Sequence, residues 1–366
     1  MHHLASEYPW PQAGRTPVIL RIETTGSQHQ MPSISVIIPV FNTRAHIDRC
    51  IASILEQSFS DFEVIFIDDG SSDRSGQVVR QFARLDSRII LHEHAANLGP
   101  GAARNTGVAK ARASYLTFID SDDYVDSNFL KRLHDASDRG YFDIVESGCR
   151  AVDDADEILW QYTPDVAEFR DLQSISDSIL LLKETGTTQK LWKRSLFIEN
   201  HIRFPQGMFW EDIAVVPVLV LCARSLSKID LVGYNYLQRA QSITNTRSVK
   251  HVTDLFRAHE YLRSFLTSRG IYEKHRSAFE KSVNRNVQYL LEHMQSRHSS
   301  GQSKKLARIC GIMANEYLTD NGIIERITSA RLDAIVEGFL ALDFSQPDAT
   351  LKSAARRIWE SNRVYQ

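Results

Sequence analysis

The sequence is poor in cysteine and has no long apolar run. Its four cysteines lie far apart and form no Cys-x-x-Cys pair, so a reduced, intracellular protein is expected. The longest apolar run covers residues 213–223 and contains Pro217. It falls short of the roughly 20 residues that a membrane-spanning helix needs. Residues 1–31 have no apolar segment typical of a signal peptide. We therefore predict a cytoplasmic protein.

Neither sign of charge is in excess. The formal net charge is −2, which gives no general attraction to nucleic acid, so no nucleic-acid partner is expected. The 13 histidines are scattered, and no His-Glu-x-x-His motif or Cys/His cluster occurs, so no zinc site is predicted. An apolar content of 43% with 24% charged residues is ordinary for globular domains.

Strand and helix patterns alternate between residues 34 and 119. Short apolar runs typical of buried strands occupy residues 34–38, 63–67, 89–91 and 115–119. Amphipathic helical patterns separate them. This alternation predicts an α/β fold with a mostly parallel sheet and helices on both faces. The loops after the four strands should then meet at one edge of the sheet, where ligands of such folds bind.

After residue 123 the patterns are weaker, and 366 residues allow a second domain. We predict helices at 127–134, 174–183, 191–198 and 213–223, short strands at 144–145, 228–232 and 234–237, and a hairpin or loop at 151–165. From about residue 249 the pattern is almost entirely helical. We therefore expect a partly disordered extension over 1–31, one domain over 32–247 and a helical domain over 248–366.

Three carboxylates follow the fourth strand directly, at Asp120, Asp122 and Asp123. Side by side they repel one another unless a cation lies among them. Mg²⁺ and Mn²⁺ prefer oxygen ligands and keep positions free for water and phosphates. The loop thus indicates a metal–diphosphate site. The alternative is that these residues only turn the chain and cap the next helix.

Two other loops carry polar or glycine-rich motifs. Asp68 and Asp69 end the second strand, where a carboxylate can accept the imino hydrogen of a uracil or thymine ring. The alternative is a side-chain turn with helix capping, which we favour for Asp73. Residues 99–105 read GPGAARN and open a helix, whose free N–H groups favour phosphate. Arg104 there is expected to pair with a diphosphate or to brace the acidic residues, and a surface ion pair is the alternative.

Five motifs together resemble the family-two glycosyltransferases, which have the GT-A nucleotide-diphospho-sugar transferase fold. They are PVFN at 39–42, DDGSSD at 68–73, GPGAARN at 99–105, DSDD at 120–123 and WED at 210–212. The resemblance covers about residues 33–245. It implies that Pro39, Phe41 and Asn42 contribute to the nucleotide pocket.

The resemblance also assigns the remaining roles. Asp122 is the principal ligand of Mn²⁺ or Mg²⁺, and Asp120 contacts the metal or the ribose. Asp212 is the catalytic base, Trp210 and Glu211 bind the sugar or acceptor, and Arg239 contacts phosphate. Because Glu211 and Asp212 begin a predicted helix, where acidic residues are favoured anyway, a purely structural role is the alternative.

The implied activity is inverting transfer of one sugar from a nucleotide-diphosphate donor, with UDP expected, to a hydroxyl of a growing or lipid-linked glycan. Bacterial surface polysaccharide is the expected setting. The QxxRW motif of processive synthases is absent. Basic residues of the C-terminal helices suggest peripheral contact with the inner face of the cell membrane, or else ordinary solvated faces. The rival functions are a sugar-phosphate nucleotidyltransferase and a non-catalytic sugar-nucleotide-binding protein.

Overall fold

The computed structural model describes residues 31–183, 185–238 and 249–294, with residues 338, 353 and 357. Its strands are β1 (Ile34–Val40), β2 (Phe62–Asp68), β3 (Ile89–Glu93), β4 (Tyr115–Phe118), β5 (Tyr124–Val125), β6 (Ile144–Val152), β7 (Ile158–Tyr162), β8 (Ala167–Phe169), β9 (Lys190–Lys193) and β10 (Leu226–Leu237). Its α-helices are α1 (Ile47–Leu55), α2 (Ser75–Ala83), α3 (Pro100–Lys110), α4 (Phe129–Ala136), α5 (Arg194–Glu199), α6 (Glu211–Cys222), α7 (Val249–Ser268) and α8 (Tyr272–Met294).

The described strands form one mixed sheet in the order β3-β2-β1-β4-β9-β6-β10-β5, with β7 beside β6 and β8 beside β10. Strands β3, β2, β1 and β4 run parallel. Strand β9 is antiparallel to both β4 and β6, so β6 again runs in the direction of β4. The predicted α/β architecture is confirmed. The carboxyl ends of β1, β2, β4 and β6 therefore point toward one edge of the sheet.

The central strands are buried on both faces, which explains their continuous apolar runs. All seven residues of β2 are buried. Val36 and Ile38 of β1 pack in the same core cluster as Ile51 of α1. On the opposite face, a Cβ atom added at Gly107 would lie 2.3 Å from Cγ2 of Ile37. Helix α3 therefore packs so closely on β1 that only glycine fits at position 107.

Three predictions for the middle of the chain are wrong. Residues 174–183 form no α-helix; short 3₁₀ turns at Leu172–Ser174 and Ser178–Leu180 stand there. The helix predicted at 191–198 begins only at Arg194, because residues 190–193 form β9 between two strands. The two predicted strands at 228–237 are one strand, β10, with register shifts between residues 228 and 234. In the last two cases, pairing between distant segments decided the local structure.

Residue contacts divide the chain into two compact units. The first comprises 1–175, 184–207 and 219–239, and the second 176–183, 208–218 and 240–366. In the second unit, Leu255 and Phe256 of α7 and Phe279 and Val283 of α8 are buried, consistent with the predicted helical region. Several predicted features lie outside the described residues. They are the boundary near residue 247, Arg239, the basic C-terminal residues 304, 305, 308 and 356, and nearly all of the N-terminal extension.

Among the helices of the described residues, none combines the length and apolar composition that crossing a membrane requires.

Candidate active site

The acidic loop, residues 120–123, is a fixed turn at the end of β4. The Asp123 N–H donates to the Asp120 carbonyl at 3.0 Å, and the Asp120 N–H donates to the Tyr234 hydroxyl at 3.2 Å. The Thr43 hydroxyl of the loop after β1 donates to the Ser121 hydroxyl at 3.0 Å. Contacts from two other parts of the sheet therefore hold the loop in place.

Asp123 has a structural role within this loop. Its carboxyl group is buried, accepting from the Tyr234 hydroxyl at 2.5 Å and from the Leu237 N–H at 2.8 Å. Burial raises its pKa well above the usual range, and the charges of Asp122 and Asp120 raise it further. Asp123 thus joins the acidic loop to β10. The sequence did not identify Tyr234, because nothing in the sequence around it distinguishes it from other tyrosines in strands.

Asp120 and Asp122 are less buried than Asp123. Asp120 is 38% exposed and accepts a hydrogen bond from Arg104 Nη2 at 2.9 Å. Arg104, with 8% of its side chain exposed, therefore braces the acidic loop, one of the roles predicted for it. Asp122 is partly buried.

The donor set of this loop fits a hard divalent cation. The charges of Asp120, Asp122 and Asp123 add to the effect of burial in raising the pKa of the Cys50 thiol, which reflects concentrated negative charge. Within the described residues there is no group of three or more His, Cys, Asp or Glu side chains suited to a metal. Two protein carboxylates suffice for Mg²⁺ or Mn²⁺ when water and substrate phosphates complete the shell.

The loops after β1 and β2 are joined by Asn42 and Asp73. Asn42 has a positive φ of 52°, and its Oδ1 accepts the Ser72 N–H at 2.9 Å. Asp73 accepts the N–H groups of Arg44 and Ser75 at 2.8 and 3.0 Å. Those bonds, together with one from the Ser75 hydroxyl, lower the pKa of Asp73 against the opposing effect of its burial. Arg74, and not Asp73, stands at the N-cap of α2, and its side chain makes no capping hydrogen bond. The predicted capping by Asp73 is therefore wrong, and Asp73 instead joins the two loops.

Pro39 and Phe41, both predicted for the nucleotide pocket, lie at the carboxyl end of β1. Phe41 is 45% exposed, so a ring face is accessible to a ligand there. Pro39 is partly buried within β1 and pairs with Ile67 of β2. An aromatic side chain this exposed is unusual, because at this edge of the sheet it does not pack in the core.

Asp68 and Asp69 are both buried, and their carboxylates have different partners. Asp68 Oδ1 accepts the Ser71 N–H at 3.0 Å and closes the turn after β2. Asp69 accepts the N–H groups of Leu98 and Gly99, at distances down to 2.8 Å. Asp69 also contacts Nδ1 of His94 at 2.6 Å. Asp69 thereby fixes the segment that leads into α3, a contact that the sequence did not reveal.

The glycine-rich motif brings α3 close to the segment before residue 207. A Cβ at Gly101 would lie 2.5 Å from the Pro205 carbonyl oxygen, so any other residue there would clash. Asn105 makes two hydrogen bonds of 2.8 Å with the backbone of Phe204, donating to its carbonyl and accepting from its N–H. Gly99 precedes the helix with φ of 89°, a conformation that favours glycine.

Trp210, Glu211 and Asp212 belong to the second unit. Trp210 has a positive φ of 62°, and its indole N–H donates to the His251 carbonyl at 2.9 Å. Its ring also contacts the ring of Tyr289 edge-on. Glu211 is buried, whereas Asp212 is partly buried and its Oδ1 accepts the Ile213 N–H at 2.8 Å. Trp210 is thus anchored to α7 at the start of α6.

A solved structure with the same fold is that of S. aureus TarS 1-349 in complex with UDP-GlcNAc. Its TM-score is 0.63 at 19% sequence identity, over 91% of this chain and 93% of the TarS chain. At that identity the likeness shows the fold. The predicted GT-A fold, that of the nucleotide-diphospho-sugar transferases, is confirmed.

Sequence comparison then gives the family. Residues 35–200 match the family described as glycosyl transferase family 2. Glycosyltransferase GlyG of Streptococcus pneumoniae serotype 4 is 30% identical over 226 residues, which cover 58% of this chain and 73% of GlyG. An uncharacterized glycosyltransferase of Bacillus subtilis, EpsJ, is 32% identical over 223 residues, covering 58% of this chain and 63% of EpsJ. The chain belongs to glycosyl transferase family 2, and the family resemblance predicted from the sequence is confirmed.

Proposed function

We propose that this protein transfers a single sugar, with inversion, from a UDP-sugar to a hydroxyl group of a growing bacterial surface glycan. The observation that carries the proposal is the acidic loop at the carboxyl edge of the sheet. In this loop Asp120 and Asp122 are partly exposed, whereas Asp123 is buried and bonded to Tyr234 and Leu237. The chain spans 63% of the length of EpsJ, so its donor and acceptor are inferences from its own residues and from its relatives.

The proposed roles follow the chemistry of the side chains. Asp122 and Asp120 would hold Mn²⁺ or Mg²⁺, and this cation would offset the negative charge on the departing diphosphate. Arg104 holds Asp120 in place. Asp212 would take the proton from the acceptor hydroxyl, as an ionised carboxylate can.

The nucleotide is proposed to lie at the ends of β1 and β2. Phe41 offers an exposed ring, and a buried carboxylate of Asp68 or Asp69 would accept the imino hydrogen of the base. Pro39 and Asn42 would shape the same pocket, and Arg239 would contact the diphosphate, as the family resemblance suggests. UDP is preferred over other nucleotides because TarS, which shares the fold, has been solved with UDP-GlcNAc.

Trp210 and Glu211 are proposed to bind the sugar or the acceptor. Trp210 and Glu211 flank the proposed base in sequence, and an indole ring anchored by its N–H can still offer a face to a sugar. An α-linked donor would give a β-linked product. We further propose action at the inner face of the cell membrane, where basic residues of the C-terminal region would meet anionic lipid. Sedimentation with anionic vesicles that is lost at high salt would support this location, and no sedimentation would remove it.

The direct test is hydrolysis of the donor without an acceptor. We would incubate the protein with UDP-, GDP- and dTDP-sugars and Mn²⁺ and measure the nucleotide released. Asp122→Asn should abolish metal-dependent release, whereas Asp230→Asn, at a side chain 72% exposed, should not change it. Release by Asp122→Asn at the wild-type rate would contradict the assignment of the metal site.

The same assay separates the rival functions. A nucleotidyltransferase would form pyrophosphate from a nucleoside triphosphate and a sugar phosphate, whereas the proposed reaction releases UDP. Once an acceptor is identified, Asp212→Asn should still bind UDP and Mn²⁺ but should lose transfer. Full transfer by that variant would show that Asp212 is not the base.

A further inference from the structure

We propose that His94 is a positioning residue for nucleotide binding, an inference that rests on the proposed function. His94 links the end of β2 to helix α3. Its Nδ1 lies 2.6 Å from Asp69 Oδ1, and its Nε2 lies 2.9 Å from the Thr106 hydroxyl of α3. Only 13% of the His94 side chain and 3% of the Asp69 side chain are exposed. The His94 ring therefore connects Asp69, a candidate for binding the base, with α3, the helix proposed to face the diphosphate.

The direction of the first hydrogen bond is fixed by chemistry. An ionised carboxylate can only accept hydrogen bonds, so Nδ1 of His94 carries a proton and donates to Asp69. The Thr106 hydroxyl can rotate to donate to Nε2. His94 thus holds the Asp69 carboxylate in one orientation from one side, while the Leu98 and Gly99 N–H groups hold it from the other.

The backbone around His94 leaves the segment little freedom. The His94 N–H donates to the Asp68 carbonyl at 2.8 Å, continuing the pairing of β3 with β2. A Cβ at Gly70 would lie 2.9 Å from the carbonyl carbon of Ala96, so the segment packs against the turn after β2. Loss of the His94 ring would therefore remove one of the contacts that orient the Asp69 carboxylate, together with the link to Thr106 of α3, and would leave the pairing of β3 with β2 intact.

The test uses two variants that each keep half of the ring's contacts. His94→Asn places an amide donor near the position of Nδ1 and should retain the bond to Asp69. His94→Gln extends toward Thr106 and should not restore that bond. His92→Ala is the matched control, because His92 lies two residues earlier, within β3, and its side chain makes no hydrogen bond with the described residues.

The expected results separate positioning from folding. His94→Ala should weaken binding of UDP in the presence of Mn²⁺ by about 10-fold to 100-fold, the usual effect of losing a hydrogen bond to a charged group. His94→Asn should recover most of this loss, and His94→Gln less of it. The maximal rate of donor hydrolysis at saturating UDP-sugar should change little, whereas KM should rise in parallel with the dissociation constant.

The possible outcomes separate a failure of the proposed function from a failure of the role proposed for His94. If the wild type does not bind UDP with Mn²⁺, the proposed function fails first, whatever His94 does. If the wild type binds UDP and His94→Ala binds it as well as His92→Ala does, the positioning role of His94 is wrong. Equal recovery by the Asn and Gln variants would also contradict it, because the bond to Asp69 would then not matter.

Discussion

Replacing Tyr234 by phenylalanine tests whether the acidic loop depends on β10. The variant removes the bond from the Tyr234 hydroxyl to buried Asp123 and the bond that it accepts from the Asp120 N–H. A hydrogen bond between neutral groups contributes about 1 kcal/mol, and the burial that raises the pKa of Asp123 favours its neutral form. We therefore expect the free energy of unfolding to fall by about 2 kcal/mol and the melting temperature to fall by roughly 4 to 8 °C.

Tyr115→Phe is the matched control, because Tyr115 is also buried and its hydroxyl donates to the Phe142 carbonyl at 2.6 Å. That variant loses the bond to the Phe142 carbonyl and the one with the Ser137 side chain, both neutral, and should cost about 1 to 2 kcal/mol. Scanning fluorimetry with and without UDP and Mn²⁺ gives both readouts. Tyr234→Phe should also lose part of the thermal shift on ligand addition, while Tyr115→Phe keeps it. Equal stability losses and equal ligand shifts in the two variants would refute the reasoning.

A double variant shows whether Asp123 is the partner that matters. If Tyr234 acts through Asp123, combining Tyr234→Phe with Asp123→Asn should cost less than the sum of the two single changes, because neighbouring residues are not additive. Additive losses would mean that Tyr234 stabilises the fold by packing alone.

Two further predictions concern stability. In the second unit, burial lowers the pKa of His259 to about 4. Its Nδ1 donates to the Leu255 carbonyl at 2.8 Å. The neutral ring therefore stabilises the fold above the unfolded pKa near 6.5, and this contribution is lost as pH falls toward 4. Urea unfolding should lose about 2 kcal/mol from this residue between pH 8 and pH 5, and His259→Asn should show a flatter pH dependence; an unchanged pH slope would contradict this. Gly101→Ala should lower the melting temperature because its Cβ would lie 2.5 Å from the Pro205 carbonyl oxygen, whereas Gly186→Ala, with no atom closer than 3.6 Å to the added carbon, should be tolerated. Equal tolerance of the two changes would show that α3 can move away.

The sequence predicts the first half of the fold well because its strands are buried on both faces. All residues of strand β2 are buried, and its centre, residues 64–67, is a continuous apolar run; such runs are readable without tertiary information. Strand β9 is not readable in this way. Its four residues continue into α5, and only pairing with β4 and β6 keeps them extended.

The division of roles within the acidic loop could not be predicted for a similar reason. Asp120, Asp122 and Asp123 are equivalent in sequence, and their different roles depend on partners far along the chain. Asp123 is committed by Tyr234, which lies 111 residues later, and Asp120 is held by Arg104 of α3. The His94 contact with Asp69 was missed because a lone histidine just after a strand has no diagnostic spacing.

The central claim is that the acidic loop binds a divalent cation together with a nucleoside diphosphate. Electron paramagnetic resonance of free Mn²⁺ measures this directly, since the signal of the hydrated ion falls as the ion is bound. Adding wild-type protein and UDP should reduce the signal, and Asp122→Asn with UDP should leave it as high as UDP alone does. An equal reduction by the Asp122→Asn variant would contradict the account.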